Sequence, residues 1–124
     1  MPRNMSFALT TQQILDQSKT VTRRLGWNFL KRGDVIQAVE KCMGLKKGEK
    51  VKRLCLLRVT SVTREPLWRV IYERGGAARE GFPEMDEFGF VEMFCREMKC
   101  NRLARVTRIQ FEYVNSVEHN GEEP

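Results

Sequence analysis

Two stretches of the chain carry the clearest pattern of apolar and polar positions. From Glu84 to Met98 the residues Phe88, Val91, Cys95 and Met98 recur at helical spacing, with Met85 and Phe94 on the flanks, and predict an amphipathic helix. Glu84, Asp86 and Glu87 crowd its first turn, where the helix dipole favours acids, whereas Gly89 costs about 1 kcal/mol against alanine, so tertiary packing must hold the helix. From Val106 to Val114 the pattern switches to period two: Ile109, Phe111 and Tyr113 alternate with Arg108, Gln110 and Glu112, as in a strand with one face inward. The run Leu54 to Val59, inside a longer stretch from Val51 to Thr63, is almost continuously apolar and predicts a strand that is buried on both sides or curves round a barrel.

The first third of the chain is built of shorter pieces. Met1 to Asn4 carry no pattern, which makes Met5 a candidate second start, and Ser6 to Leu9 read as a first strand or a core anchor. Thr10-Thr11-Gln12-Gln13 has the form of a capping box and opens a short helix to about Gln17 that buries Ile14 and Leu15. The β-branched Thr20-Val21-Thr22 predicts a strand, Leu25-Gly26-Trp27 a turn, Phe29 an apolar anchor, Gly33 another turn and Val35 to Glu40 a strand. A glycine- and lysine-rich connector spans Gly44 to Lys50. Glu65 to Arg74, interrupted by Pro66, is a short, partly buried element of unfixed type that ends at Gly75-Gly76. Several short strands with one short and one longer helix suit an α+β fold: a small, partly open β-barrel of about five to six strands with helices over its ends.

At 124 residues this is one domain, residues 1–114, followed by a polar tail over 115–124 that is expected to be disordered. No apolar run approaches the roughly 20 residues of a membrane span and no signal peptide is visible, so a cytoplasmic protein without a membrane partner is expected. Cys42, Cys55, Cys95 and Cys100 form no C-x-x-C pair and read as buried or reduced thiols; His119, the sole histidine, makes a poor fourth zinc ligand. Neither a metal nor a cofactor is therefore expected. Charge is divided unevenly. Residues 1–79 hold 17 lysines and arginines against 6 acids, and residues 80–124 hold 5 against 10. A polyanion such as RNA is the obvious partner of the basic part, and simple solubility is the alternative that the same charge serves.

The candidate chemistry gathers in Lys19-Thr20-Val21-Thr22-Arg23-Arg24, which puts an amine, hydroxyls and two guanidinium groups into six residues. The same composition suits a solvated edge strand, where lysine discourages aggregation. The spacing, however, resembles the G-x-K-x-x-E-x-R signature of the ASCH domains, small relatives of the PUA RNA-binding barrel, with Lys19 at the lysine and Arg24 at the arginine. Gln17 stands where glycine is usual and Thr22 where the glutamate often is. The latter change is shared with small ASCH proteins similar to the N4-acetylcytidine amidohydrolases, which read K-T-x-T-x-R here. The stretch Phe29-Leu30-Lys31-Arg32-Gly33-Asp34, an aromatic followed by Gly-Asp before a strand, and the Glu80-Gly81-Phe82 triplet before the long helix are also reminiscent of the family.

The resemblance implies a PUA-like barrel over roughly residues 5–114 and a catalytic set of Lys19, Thr22 and Glu80, with Glu84 and Glu87 as competitors for the carboxylate. Cleaving the acyl amide on cytosine needs a nucleophile, a base and a proton for the departing nitrogen. Lys19 can act as base only with its pKa brought down by burial or by neighbouring cations such as Arg23 and Arg24. In a regular strand Lys19 and Thr22 would point to opposite faces, so a bend or bulge near Lys19 or Thr20, or a Lys19 that precedes the strand, is required. Expected binding residues are Arg23, Arg24, Trp27 and the loop cations Lys46, Lys47, Lys50, Lys52 and Arg53; Trp27 and Trp68 can equally be core. A non-catalytic nucleic-acid-binding module and a ribonuclease acting on single-stranded RNA are the alternatives. Oligomeric state is not legible.

Overall fold

A computed structural model describes residues 2–41 and 45–114. The expected polar tail, with His119, and the residues Cys42 and Gly44 lie outside the described residues. The elements in chain order are β1 (Arg3–Ser6), a 3₁₀ turn (Ala8–Thr10), α1 (Thr11–Leu15), β2 (Val21–Arg24), β3 (Val35–Val39) and β4 (Arg53–Pro66). A second 3₁₀ segment (Leu67–Tyr72), α2 (Gly76–Arg79), α3 (Glu87–Met98) and β5 (Arg105–Tyr113) follow.

The five strands form one curled, half-barrel sheet in the order β1-β3-β4-β5-β2, parallel between β1 and β3 and antiparallel elsewhere. β4 is the longest strand. It carries a bulge where Val59 faces Phe111 and Ser61 already faces Gln110, and the extra residue, Thr60, adds bend and twist. Both edges, β1 and β2, are only four residues long, which limits the exposed hydrogen-bonding template. Residues 3 and 4 belong to this sheet, where Arg3 faces Ile36 and Asn4 faces Gln37, although the sequence gives them no pattern.

Two apolar clusters fill the molecule. One, on the sheet, holds Met5, Phe7, Ile14, Ile36, Leu57, Val59, Ile109 and Phe111; the other, under α3, holds Leu67, Val70, Ala77, Phe90, Val91, Met93, Phe94 and Val106. The α3 face differs from the spacing-based expectation. Phe90, Val91, Met93 and Phe94 are buried while Phe88 and Met98 are exposed, because the helix packs against the Leu67–Tyr72 segment, which sequence periodicity cannot locate. Asp86 is its N-cap, accepting from the Gly89 amide at 2.7 Å, and a side chain at Gly89 would crowd that carboxylate.

Other local expectations are corrected in the same way. Thr10 makes no side-chain cap to α1; the adjacent Thr11 hydroxyl instead donates to the Phe7 carbonyl at 3.0 Å. Leu15 is exposed, and the anchor after β2 is Leu30 rather than the half-exposed Phe29. Cys55, Cys95 and Cys100 are free thiols, in line with the expected reduced state, and are half-buried. No helix among the described residues is long and apolar enough to cross a membrane.

Candidate active site

Lys19 reaches the site through a sharp exit from α1. The amide of Gln17 donates to Ile14 at 3.2 Å and that of Ser18 to Gln13 at 3.0 Å, with Gln17 in the left-handed region at φ 65°, the pattern of a Schellman cap. Glycine is the usual residue in that conformation. The next two residues are clamped by backbone contacts: Tyr113 donates its hydroxyl to the Lys19 carbonyl at 2.6 Å, and the Thr20 amide donates to Arg79 at 2.9 Å. β2 then starts at Val21, so Lys19 precedes the strand and the alternation that would have separated it from Thr22 does not apply.

Glu80 arrives from the other side, at the end of α2. Gly81, at φ 99°, follows it, and a side chain there would meet Thr10 and Gln13 of the α1 region at 3.1 and 3.3 Å. The missing side chain lets the Glu80 turn close onto the segment that delivers Lys19.

Lys19, Thr22, Arg23, Arg24 and Glu80 line one half-open cavity of about 280 Å³. Its walls come from both cores: Phe7 on one side and Phe82, Phe90, Met93 and Phe94 on the other. Four of the polar groups are almost wholly removed from water, with Lys19, Thr22 and Arg23 at 3% and Glu80 at 2% exposure. The Lys19 amine donates to the backbone carbonyl of Glu80 and, at 3.4 Å, to its Oε1. Arg23 Nη1 donates to Glu80 Oε2 at 2.9 Å, so both carboxylate oxygens accept from cations. Arg24 Nε donates to the Thr22 hydroxyl oxygen at 2.9 Å, and its guanidinium lies 4.6 Å from the centre of the Phe7 ring.

Burial is the main reason that the Lys19 pKa falls from 10.5 to about 8; Glu80 opposes the fall, and the Arg24 and Arg23 charges add to it. At pH 7 roughly a tenth of such amines are neutral. Behind the cavity, Arg23 Nη2 also meets Glu73 at 2.6 Å and Glu65 at 3.2 Å, while Arg108 Nε holds Glu73 at 2.9 Å. This network of carboxylates gives the buried guanidinium a partner on each of its sides. Among the described residues no group of three or more His, Cys, Asp or Glu is placed to hold a metal ion.

The remaining sequence-derived candidates lie elsewhere. Lys46, Lys47, Lys50, Lys52 and Arg53 are exposed and do not line the cavity; Lys52 is 3.5 Å from Glu40. Trp27 packs partly on the first core, and Trp68 meets Tyr72 edge-on. Glu84 is exposed, and Glu87 accepts from the Ala77 amide at 3.2 Å, so Glu80 is the carboxylate that faces Lys19. The aromatic walls and the Glu65–Glu73 support have no local sequence signal, since their positions follow from how α3 and the Leu67–Tyr72 segment pack.

No family model matches the sequence, and no curated protein matches it. Solved structures do share its fold. An ASCH domain from Lactobacillus crispatus aligns at TM-score 0.51 and 17% identity, over 90% of this chain and 79% of that one. The hypothetical protein PH0355 aligns at TM-score 0.62 and 17% identity, over 91% and 99%. The protein EF3133 from Enterococcus faecalis aligns at 0.59 and 17%, over 92% and 80%. The fold is ASCH-like.

Proposed function

We propose that the cavity is an active site that takes a modified nucleobase and hydrolyses the acyl amide of N4-acetylcytidine. The observation that carries this reading is the convergence of a buried amine, a hydroxyl and a carboxylate in one aromatic-walled hollow. Its volume, about 280 Å³, lies at the small end of ligand sites, in keeping with one base or nucleoside rather than a bulky ligand. Phe7, Phe82, Phe90 and Phe94 offer flat apolar surface to a planar ring.

In this reading neutral Lys19 removes the Thr22 proton as the hydroxyl oxygen attacks the acetyl carbon. Arg24, already donating to that oxygen, favours the developing negative charge. The bond from the acetyl carbon to N4 breaks and the new Lys19 ammonium returns its proton to N4, releasing cytidine. Water then cleaves the Thr22 ester and acetate leaves. Glu80, which accepts from both Lys19 and Arg23, holds the amine in place.

The test is incubation of the protein with N4-acetylcytidine and chromatographic detection of cytidine and acetate. Release in equal amounts is expected. No release, while an active amidase in the same assay cleaves its own substrate, removes the hydrolase reading, and binding of N4-acetylcytidine without turnover favours a recognition module.

A further inference from the structure

Beside the cavity lies a shallow depression lined by Arg3, Asn4, Leu25, Trp27 and Phe29. The two are lined by neighbouring chain positions. Arg24 lines the cavity and Leu25 the depression, while on β1 Ser6 lines the cavity and Asn4, on the same side of the strand, lines the depression. The depression is aromatic and cationic together. Trp27 and Phe29 have ring centres 5.4 Å apart, the Arg3 guanidinium lies 4.7 Å from the Phe29 ring centre, and Phe29 is 49% exposed. Trp27 sits at φ 56°, a left-handed conformation that bulky residues rarely adopt, immediately after Gly26 at φ 81°. The turn is fixed by the Thr107 hydroxyl, which donates to the Gly26 carbonyl. A strained turn thus presents an aromatic pair at the surface instead of folding it fully into the core.

We propose that Arg3, Trp27 and Phe29 form a base-stacking subsite for single-stranded RNA, so that the cavity takes its base from within a strand and the neighbouring base lies on this platform. The inference rests on the cavity taking a nucleobase. Flat rings suit the faces of any base, and Arg3 supplies positive charge for the linking phosphate, within a part of the chain that holds 17 cations against 6 acids. A base inside a duplex cannot reach groups buried as deeply as Lys19 and Glu80, which selects an unpaired strand.

The experiment measures fluorescence-anisotropy binding of an RNA pentanucleotide with a central N4-acetylcytidine, and calorimetric binding of the free nucleoside, both in a Thr22→Val background that prevents turnover. The pentanucleotide is expected to bind at least tenfold more tightly than the nucleoside. Phe29→Ala, at a half-exposed position, is expected to weaken the pentanucleotide about tenfold and leave the nucleoside unchanged, as loss of one stacking contact would. Trp27→Ala serves as a second variant once its circular dichroism matches the parent. Pentanucleotide affinity unchanged in both variants overturns the proposal. A pentanucleotide that depends on Phe29 yet binds equally with plain cytidine at its centre keeps the platform and removes the cavity reading.

Discussion

Lys19 is a cation held where water is scarce, and its pKa of about 8 follows from that burial more than from its neighbours. Because the folded-state value lies below 10.5, the unfolded chain binds more protons between pH 8 and 10.5, and stability rises with pH across that window. The full difference corresponds to roughly 3 kcal/mol. Urea denaturation at pH 7.5 and 9.5 is expected to show the gain in the wild type and to lose most of it in Lys19→Met. A base with this pKa also makes kcat/KM rise with pH and level off above about 8, and a flat profile from pH 6 to 9 would deny Lys19 that role. At this scale much was legible. The Lys19, Thr22 and Arg24 spacing marks a segment that lines the cavity, whereas Glu80 could not be separated from Glu84 and Glu87, because the choice depends on where a four-residue helix ends in space.

At the scale of elements, the α1–β2 connection does most to place the amine. Gln17 occupies a left-handed position that glycine takes without steric penalty, and the glycine of the ASCH signature falls at this position. Gln17→Gly is expected to stabilise the protein by roughly 1 kcal/mol, read as an upward shift of the urea midpoint with an unchanged slope. A lower midpoint would mean that the Gln17 side chain contributes more than its backbone strain removes. The same scale holds the clearest misreading. Of the stripe that helical spacing marked in α3, Val91 and the flanking Phe94 are buried, but Phe88 and Met98 are exposed and the unmarked Phe90 and Met93 take their place, because α3 packs onto a 3₁₀ segment with no periodic signature. β2 to β5 were legible within a few residues, β5 from its period-two alternation, whereas β1 was not, since Arg3 and Asn4 carry no apolar pattern and only Ser6 of the expected first strand belongs to it.

On the scale of the whole molecule, the cavity lies at the seam between two cores, and the Arg23 network crosses behind it. Arg23 links Glu80 beside the cavity to Glu65 on β4 and to Glu73 near α2. Arg23→Leu leaves three carboxylates around an apolar side chain and is expected to destabilise the fold by about 3–5 kcal/mol in urea denaturation. A loss under about 1 kcal/mol would mean that water or Arg108 replaces the guanidinium. Glu73 adds an acid limit. Burial alone would raise its pKa, but Arg108 and Arg23 outweigh that and hold it below 4.5, so its contribution is present above pH 4.5 and fades below it. None of this support was legible, since residues 23, 65, 73, 80 and 108 meet only after the sheet has curled. The most direct measurement is kcat/KM for N4-acetylcytidine in the wild type, Lys19→Met and Thr22→Val, each confirmed folded. The account expects both variants to fall by about two to four orders of magnitude. Wild-type turnover in either variant would contradict it.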